Sequence, residues 1–262
     1  MTLLAYAAAC TERIRLGVSV SILNQRNPVA LAKALASLDQ LSGGRLTVGV
    51  GLGGATAAYP AFGIDEERPV GRFTEGLRVM RARWSQERVD RDGACFRLAN
   101  VRMEPKPVQQ PHLPVWIGIG AHVPGARRRA VRLGDGWMGA GSAPNEDFFE
   151  QIGRVRRALT ELGRDEATFT LSKRVYIAVD EDEGRAQAQR AATLASTDGT
   201  ARDGVGVAGT AEGCVGTVRA MRDAGLQHLL LQPCGDGMQQ LEVLATEVAP
   251  ALERRPLPAC AR

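Results

Sequence analysis

Residues 14–54, IRLGVSVSILNQRNPVALAKALASLDQLSGGRLTVGVGLGG, constrain the fold more than any other stretch because they read as strand, helix, strand. Ile14, Leu16, Val18 and Val20 alternate as in a strand. Asn27 is a good helix N-cap, and Pro28 suits the first helical turn, where a peptide N–H would lack a partner anyway. Leu31, Leu35, Leu38 and Leu41 then recur at helical spacing, Gly43-Gly44 supplies a left-handed stop, and residues 46–50 form a buried-looking apolar run. Two strands joined through a helix are parallel, and such crossovers are right-handed, so the unit predicts a parallel sheet covered by helices. Its glycine-rich end predicts a ligand edge.

The rest of the chain repeats this alternation. Residues 1–13 read as a helix that begins without a cap. After residue 54 comes a loose Gly/Ala/Pro-rich segment, followed by a helix carrying Phe73, Leu77, Met80 and Trp84 on one face. Asp92-Gly93 marks a hairpin, and the prolines after it predict an extended arm. Strands are expected at 115–119, 136–140, 168–179 and 228–232, with helices at 124–133, 146–163, after 181, from Thr210 to Gly225, and at 241–252. Residues 198–209 read as turn. Six parallel strands, centred near Leu16, Val48, Trp116, Met138, Tyr176 and Leu230, predict an α/β fold of the TIM (β/α)8-barrel type with about six of its eight units. The expected organisation is one domain over residues 1–262, with a loop and hairpin insertion at about 54–113.

Composition narrows the function. The net charge of +4 is spread among interleaved acids and aromatics are only 5%, which argues against nucleic acid as a partner. Cys10, Cys95, Cys214, Cys234 and Cys260 are odd in number and far apart, the pattern of a reducing, cytoplasmic setting. No apolar run reaches a membrane span of about 18 residues, and the first residues lack a signal-peptide layout. His112, His122 and His228 have no partners at metal-ligand spacing, so no metal is expected.

Four segments in a fixed order carry a more specific signal: TERIRLGVSV, NPVALAKALASLDQLSGGRLTVGVGLGG, FGIDEERPVGRFTEGLRVMRARW, and PKPVQQPHLPVWIGIG with the following LGDGWM. Together they resemble the luciferase-like monooxygenase superfamily of flavin- or deazaflavin-dependent oxidoreductases. The resemblance identifies residues 1–13 with the end of the second barrel helix and residues 14–20 with the third strand. By that alignment two βα units, about 60 residues at roughly 30 per unit, would precede this chain. A start site inside a longer reading frame is the expected cause, with a genuinely shortened protein as the alternative, and a chain lacking those units should have open sheet edges and aggregate or self-associate.

The resemblance also implies a site. In the family the third strand ends in a bulge with a non-prolyl cis peptide beneath the middle flavin ring, and Ser19-Val20 occupies that place. Gly51, Leu52 and Gly53, with Gly54, would let backbone approach the ring system. Some relatives place a carboxylate hereabouts, where this chain has Gly54, Ala55, Thr56 and Ala57. Gly118, Ile119, Gly120 and Ala121 precede a helix, whose free N–H groups favour an anion, and they resemble the phosphate end of the cofactor site. Gly141 and Ser142 could add donors. Asp135 and Trp137 read as turn and core residues, and no catalytic residue is assigned. The function so implied is an oxidoreductase using FMN or coenzyme F420 on a small organic substrate, by hydride transfer or oxygen activation, with a homodimer as a possible assembly. The alternatives are a non-catalytic flavin-fold protein lacking N-terminal catalytic residues, and a barrel that binds a phosphorylated metabolite through the Gly118 loop.

Overall fold

The computed structural model describes residues 1–53, 59–64, 68–120, 123–198 and 203–253. Within it the chain divides into two compact units, Met1–Ile119 with Arg128–Met138, and Gly120–Arg127 with Gly139–Arg262.

The first unit is built on the strand-helix-strand stretch. Helix α1 (Thr2–Cys10) leads into strand β1 (Leu16–Ile22), helix α2 (Pro28–Ser42) crosses over, and strand β2 (Leu46–Gly51) lies parallel to β1. Asn27 caps α2, its side chain accepting from the Val29 and Ala30 N–H groups at 2.9 and 3.3 Å, and Gly43 ends the helix at φ 63°. Beyond β2, helix α3 (Pro69–Ser85) and the antiparallel hairpin β3 (Arg88–Asp92) and β4 (Arg97–Arg102) precede strand β5 (Val115–Gly118). Helix α4 (Pro124–Leu133) then leads to strand β6 (Gly136–Gly139), and the parallel order is β1-β2-β5-β6. Leu31, Leu35 and Leu38 of α2 and Phe73, Leu77, Met80 and Trp84 of α3 are buried with Val48, Val50 and Ile117 in one core. Trp84 Nε1 donates to Ala32 O at 3.0 Å, tying the two helices together. Leu41 departs from the expected face. It is 70% exposed while Ser42 is buried, because the inward stripe steps from Leu38 to residue 42 as the helix turns. Ile14 is likewise exposed and precedes β1.

Two buried carboxylates hold the insertion onto this unit. Asp39 accepts from the Gln109 backbone N at 3.1 Å and from its Nε2 at 2.8 Å, fixing the proline-rich arm against α2. Glu75 accepts from the Cys95 and Phe96 N–H groups, each at 3.0 Å, and from Arg91 Nε at 3.5 Å. The turn glycine Gly93 admits that carboxylate, since a Cβ there would fall 1.7 Å from Glu75 Oε1.

The second unit is centred on strand β7 (Thr170–Val179), which follows helix α5 (Asn145–Glu161) and is flanked by parallel strands β8 (Val207–Gly209) and β9 (His228–Pro233). Helices α6 (Glu183–Asp198), α7 (Ala211–Asp223), α8 (Gly237–Val243) and α9 (Ala249–Glu253) complete the alternation, with a π-helical turn at Leu244–Val248. Strand β8 is a correction to the sequence analysis, in which residues 198–209 read as turn and six strands are expected. Seven parallel strands occur among the described residues. The missed one is three residues long and hemmed by Gly204, Gly206 and Gly209, all at positive φ, so it carries too little periodicity to register as a strand. The last helix also begins earlier than expected. Asp236 caps it through the Met238 and Gln239 N–H groups, and buried Gln240 closes both backbone groups of Val179, N–H and C=O, at 2.8 Å.

Candidate functional site

The carboxyl end of β1 is irregular in the place where the resemblance puts a cofactor. The pairing of β1 with β2 slips between Val18 and Ser21, forming a bulge, and the Ser19–Val20 peptide bond is cis. The bulge turns Val20 over the neighbouring strand ends. A Cβ on Gly51 would lie 2.7 Å from Val20 Cγ2, and one on Gly118 would lie 2.8 Å from Val20 Cγ1. One strand turn earlier, a Cβ on Gly49 would collide with Val18 O at 2.0 Å. The glycines of β2 and β5 therefore have a reason inside the chain, because they clear the room into which β1 bulges. Val20 remains 37% exposed, an isopropyl group resting on two glycines.

Polar partners brace this end. Ser19 Oγ donates to Met138 Sδ at 2.8 Å, Tyr59 OH donates to Leu52 O at 3.2 Å, and Trp137 Nε1 donates to Ile119 O at 3.0 Å. Gly53 follows at φ 77°, where a Cβ would also meet Ile22 at 2.7 Å. Trp137 is fully buried, and Asp135 Oδ2 accepts from Val115 N and Arg81 at 2.9 and 2.8 Å, so both have the turn and core roles expected of them. Just past the bulge, Ser21 Oγ and Asn24 Oδ1 are buried without a hydrogen-bond partner among the described residues. Spacing alone did not point to these two, since a serine and an asparagine at a strand end usually cap or turn. The structure thus brings Ser19, Val20, Gly51, Leu52, Gly53, Gly118 and Ile119 to the strand ends of the first unit. Gly54, Ala55, Thr56, Ala57, Ala121 and His122 lie outside the described residues.

The second unit contains the other candidates. Gly120 O accepts from Val123 N at 3.3 Å at the entry to α4. Gly141 and Ser142 sit in a turn closed by Ala143 N donating to Ala140 O at 3.4 Å. The turn lies on β7: a Cβ on Gly141 would be 2.7 Å from Arg174 Nε and 3.2 Å from the Tyr176 ring. Beneath it is Lys173, 1% exposed, whose Nζ donates to Ala140 O at 3.2 Å and Ala143 O at 3.5 Å and stands 5.4 Å from the centre of the Phe148 ring. Burial pushes its pKa down to about 8, with Arg174 adding to the effect and Asp147 opposing it. No sequence motif marks this lysine, which lies in an ordinary strand pattern.

Known proteins resemble this chain in sequence and in fold. An uncharacterized protein of Mycobacterium tuberculosis is 36% identical over 163 residues, 62% of this chain and 56% of its own length. The phthiodiolone/phenolphthiodiolone dimycocerosates ketoreductase of Mycobacterium kansasii is 34% identical over 156 residues, 59% of this chain and 42% of its own. The chain spans about half the length of these relatives. Among solved structures, the monooxygenase RslO1 of Streptomyces bottropensis superposes with a TM-score of 0.83 at 24% identity, covering 95% of this chain and 82% of that one. An F420-dependent secondary alcohol dehydrogenase in complex with an F420-acetone adduct superposes at 0.81 and 22% identity, covering 96% and 83%. These likenesses show the fold, a barrel-type parallel α/β architecture. The family described as luciferase-like monooxygenase matches residues 1–213, and with more than three-quarters of its length so covered, this chain belongs to that family.

Proposed function

We propose that this chain is an oxidoreductase that holds FMN or coenzyme F420 against the β1 bulge and acts on a small organic substrate. The observation that carries the reading is Val20. An exposed apolar side chain, propped on Gly51 and Gly118 by a bulge and braced through Ser19, offers an apolar platform suited to one face of a planar ring system. Ser21 Oγ and Asn24 Oδ1, buried without a hydrogen-bond partner among the described residues, are polar atoms that a bound group could satisfy. When bound, either cofactor would supply hydride transfer, or oxygen activation in the flavin case. Ser19, Val20, Ser21, Gly51, Leu52, Gly118 and Ile119 offer hydroxyl, backbone and apolar groups, so their contribution is to position the ring and exclude water rather than to move a proton.

Further support comes from the relatives, one a ketoreductase and one structural neighbour F420-dependent, which favour a carbonyl or secondary alcohol as the substrate class. Gly118, Ile119 and Gly120, with Gly141 and Ser142, are the proposed partners of the cofactor's phosphate. The free thiols of Cys10, Cys95, Cys214 and Cys234 suit a cytoplasmic setting, and no helix among the described residues is long and apolar enough to cross a membrane. The test is equilibrium titration of the purified protein with FMN and with F420, followed by absorbance and fluorescence, and then oxidation of the bound reduced cofactor by ketones or dioxygen. Val20→Asp and Gly120→Asp should each weaken binding at least tenfold, through charge at the ring face and at the phosphate respectively. Cofactor affinity unchanged in both folded variants would overturn this placement. A protein that binds cofactor without turnover would support the non-catalytic alternative.

A further inference from the structure

Lys173 is buried against physical expectation. Placing an ammonium in the interior costs several kcal/mol unless good partners compensate, and its two carbonyl contacts, at 3.2 and 3.5 Å, are long. A methionine would fill the same space without that cost. What the ammonium adds is geometry and charge. Both carbonyls belong to the turn that carries Gly141 and Ser142. The Ala140–Gly141 peptide is trans, so its C=O and N–H point in opposite directions. Holding Ala140 O on Lys173 therefore aims the Gly141 N–H away from the interior. Ala143 O shares its peptide plane with Pro144, which has no N–H, so that second contact serves only as an anchor.

Resting on the reading that Gly141 and Ser142 meet the cofactor's phosphate, we propose that Lys173 is the positioning residue of this turn, fixing the outward Gly141 N–H and placing a positive charge behind the anion. The charged groups facing it are Asp147 on α5, next to Glu146 in the same first turn, and Arg174 on β7 itself. The titratable group on β9 is His228, whose register partner is Ser172. Because burial sets the Lys173 pKa at about 8, the charge behind the turn is present at neutral pH and fades above it. An anion on the turn favours the protonated form, so binding above pH 8 takes up a proton.

The experiment compares ligands that differ by the phosphate: FMN against riboflavin, and F420 against its phosphate-free deazaflavin core. Lys173→Met should leave affinity for the phosphate-free member within twofold and weaken the phosphorylated member at least tenfold. In the wild-type protein the phosphate's advantage should shrink between pH 7 and 9.5, and in Lys173→Met it should be flat. Lys173→Gln, which keeps a donor but no charge, provides the same comparison if the Met variant does not fold, and should recover only part of the loss. Equal weakening of both members of a pair, or an unchanged phosphate advantage, overturns the proposal while leaving the cofactor reading intact. Wild-type protein that binds none of the four ligands refutes that reading and this proposal with it.

Discussion

The strand end formed by β1, β2 and β5 and the turn that follows β6 are both glycine-rich, yet they use glycine differently. At the first, Gly49, Gly51 and Gly118 surrender their side-chain space to Val18 and Val20 of the same chain, and the result is an apolar platform. At the second, Gly141 lies on Arg174 and Tyr176 above a buried ammonium, and the result is a polar turn with charge behind it. A glycine at a strand end thus reports that something approaches closely without saying what, and the approaching group decides the chemistry. Buried charge differs in the same way between the units. Glu75 is met by three donors, whereas Lys173 has two long contacts.

The largest expected effect tests the platform. Gly49→Ala would drive a methyl group into Val18 O at 2.0 Å, a backbone clash that cannot be relieved by a rotamer change, and should cost about 3 kcal/mol or more. Chemical denaturation measures it, and a near-neutral result would end the account of β2 as a groove for the bulge.

Next is the pH dependence of Lys173. Its folded pKa of about 8 lies below the value of 10.5 for an exposed lysine, so between those limits the unfolded chain holds more protons and stability rises with pH. At about 1.4 kcal/mol per unit the gain approaches roughly 3 kcal/mol. Lys173→Met should remove that slope and melt no lower than wild type at pH 7, whereas a lower melting temperature would mean that Lys173 is chiefly a structural tie.

Glu75 should behave in the opposite sense. Burial alone would raise its pKa, but the Cys95 and Phe96 N–H groups and Arg91 outweigh burial and hold it below the usual range. Its stabilisation is therefore present above the unfolded value and lost as pH falls through the folded one. Glu75→Gln should cost about 2 kcal/mol at pH 7, from weakened hydrogen bonds to a charged acceptor, and should flatten the acid side of the stability profile. Calorimetry across pH 3–7 is the measurement.

The smallest effect is a coupling. Gly118→Ala meets only the tip of Val20, at 2.8 Å, so a cost of about 1–2 kcal/mol is expected. Val20→Ala in the same protein should recover about 1 kcal/mol of it in a double-mutant cycle. Strict additivity would show that Val20 does not occupy the space above Gly118.

Much of this architecture was legible in the residues. Asn27-Pro28 and Gly43-Gly44 fixed the ends of α2 because capping and left-handed backbone depend on one or two local groups. The repeating strand-helix pattern identified the parallel sheet for the same reason, and four ordered segments pointed to the family. Leu41 and β8 escaped that reading. Which side of a helix end turns inward, and whether three residues between glycines pair as a strand, depend on neighbours distant in sequence.

The candidate site divides along the same line. That glycines gather at the ends of β2, β5 and β6 follows from residue order, and the family resemblance placed the Ser19-Val20 bulge. It takes long-range packing to make Val20 fill the space above Gly51 and Gly118, to bring Ser19 to Met138 across 119 positions of chain, and to bury Lys173 beneath the turn of Gly141 and Ser142. Conformational freedom belongs to a residue and can be read from its type. The occupant of a cleared space and the solvation of a charge belong to the residues packed around them, and the fold alone brings those together.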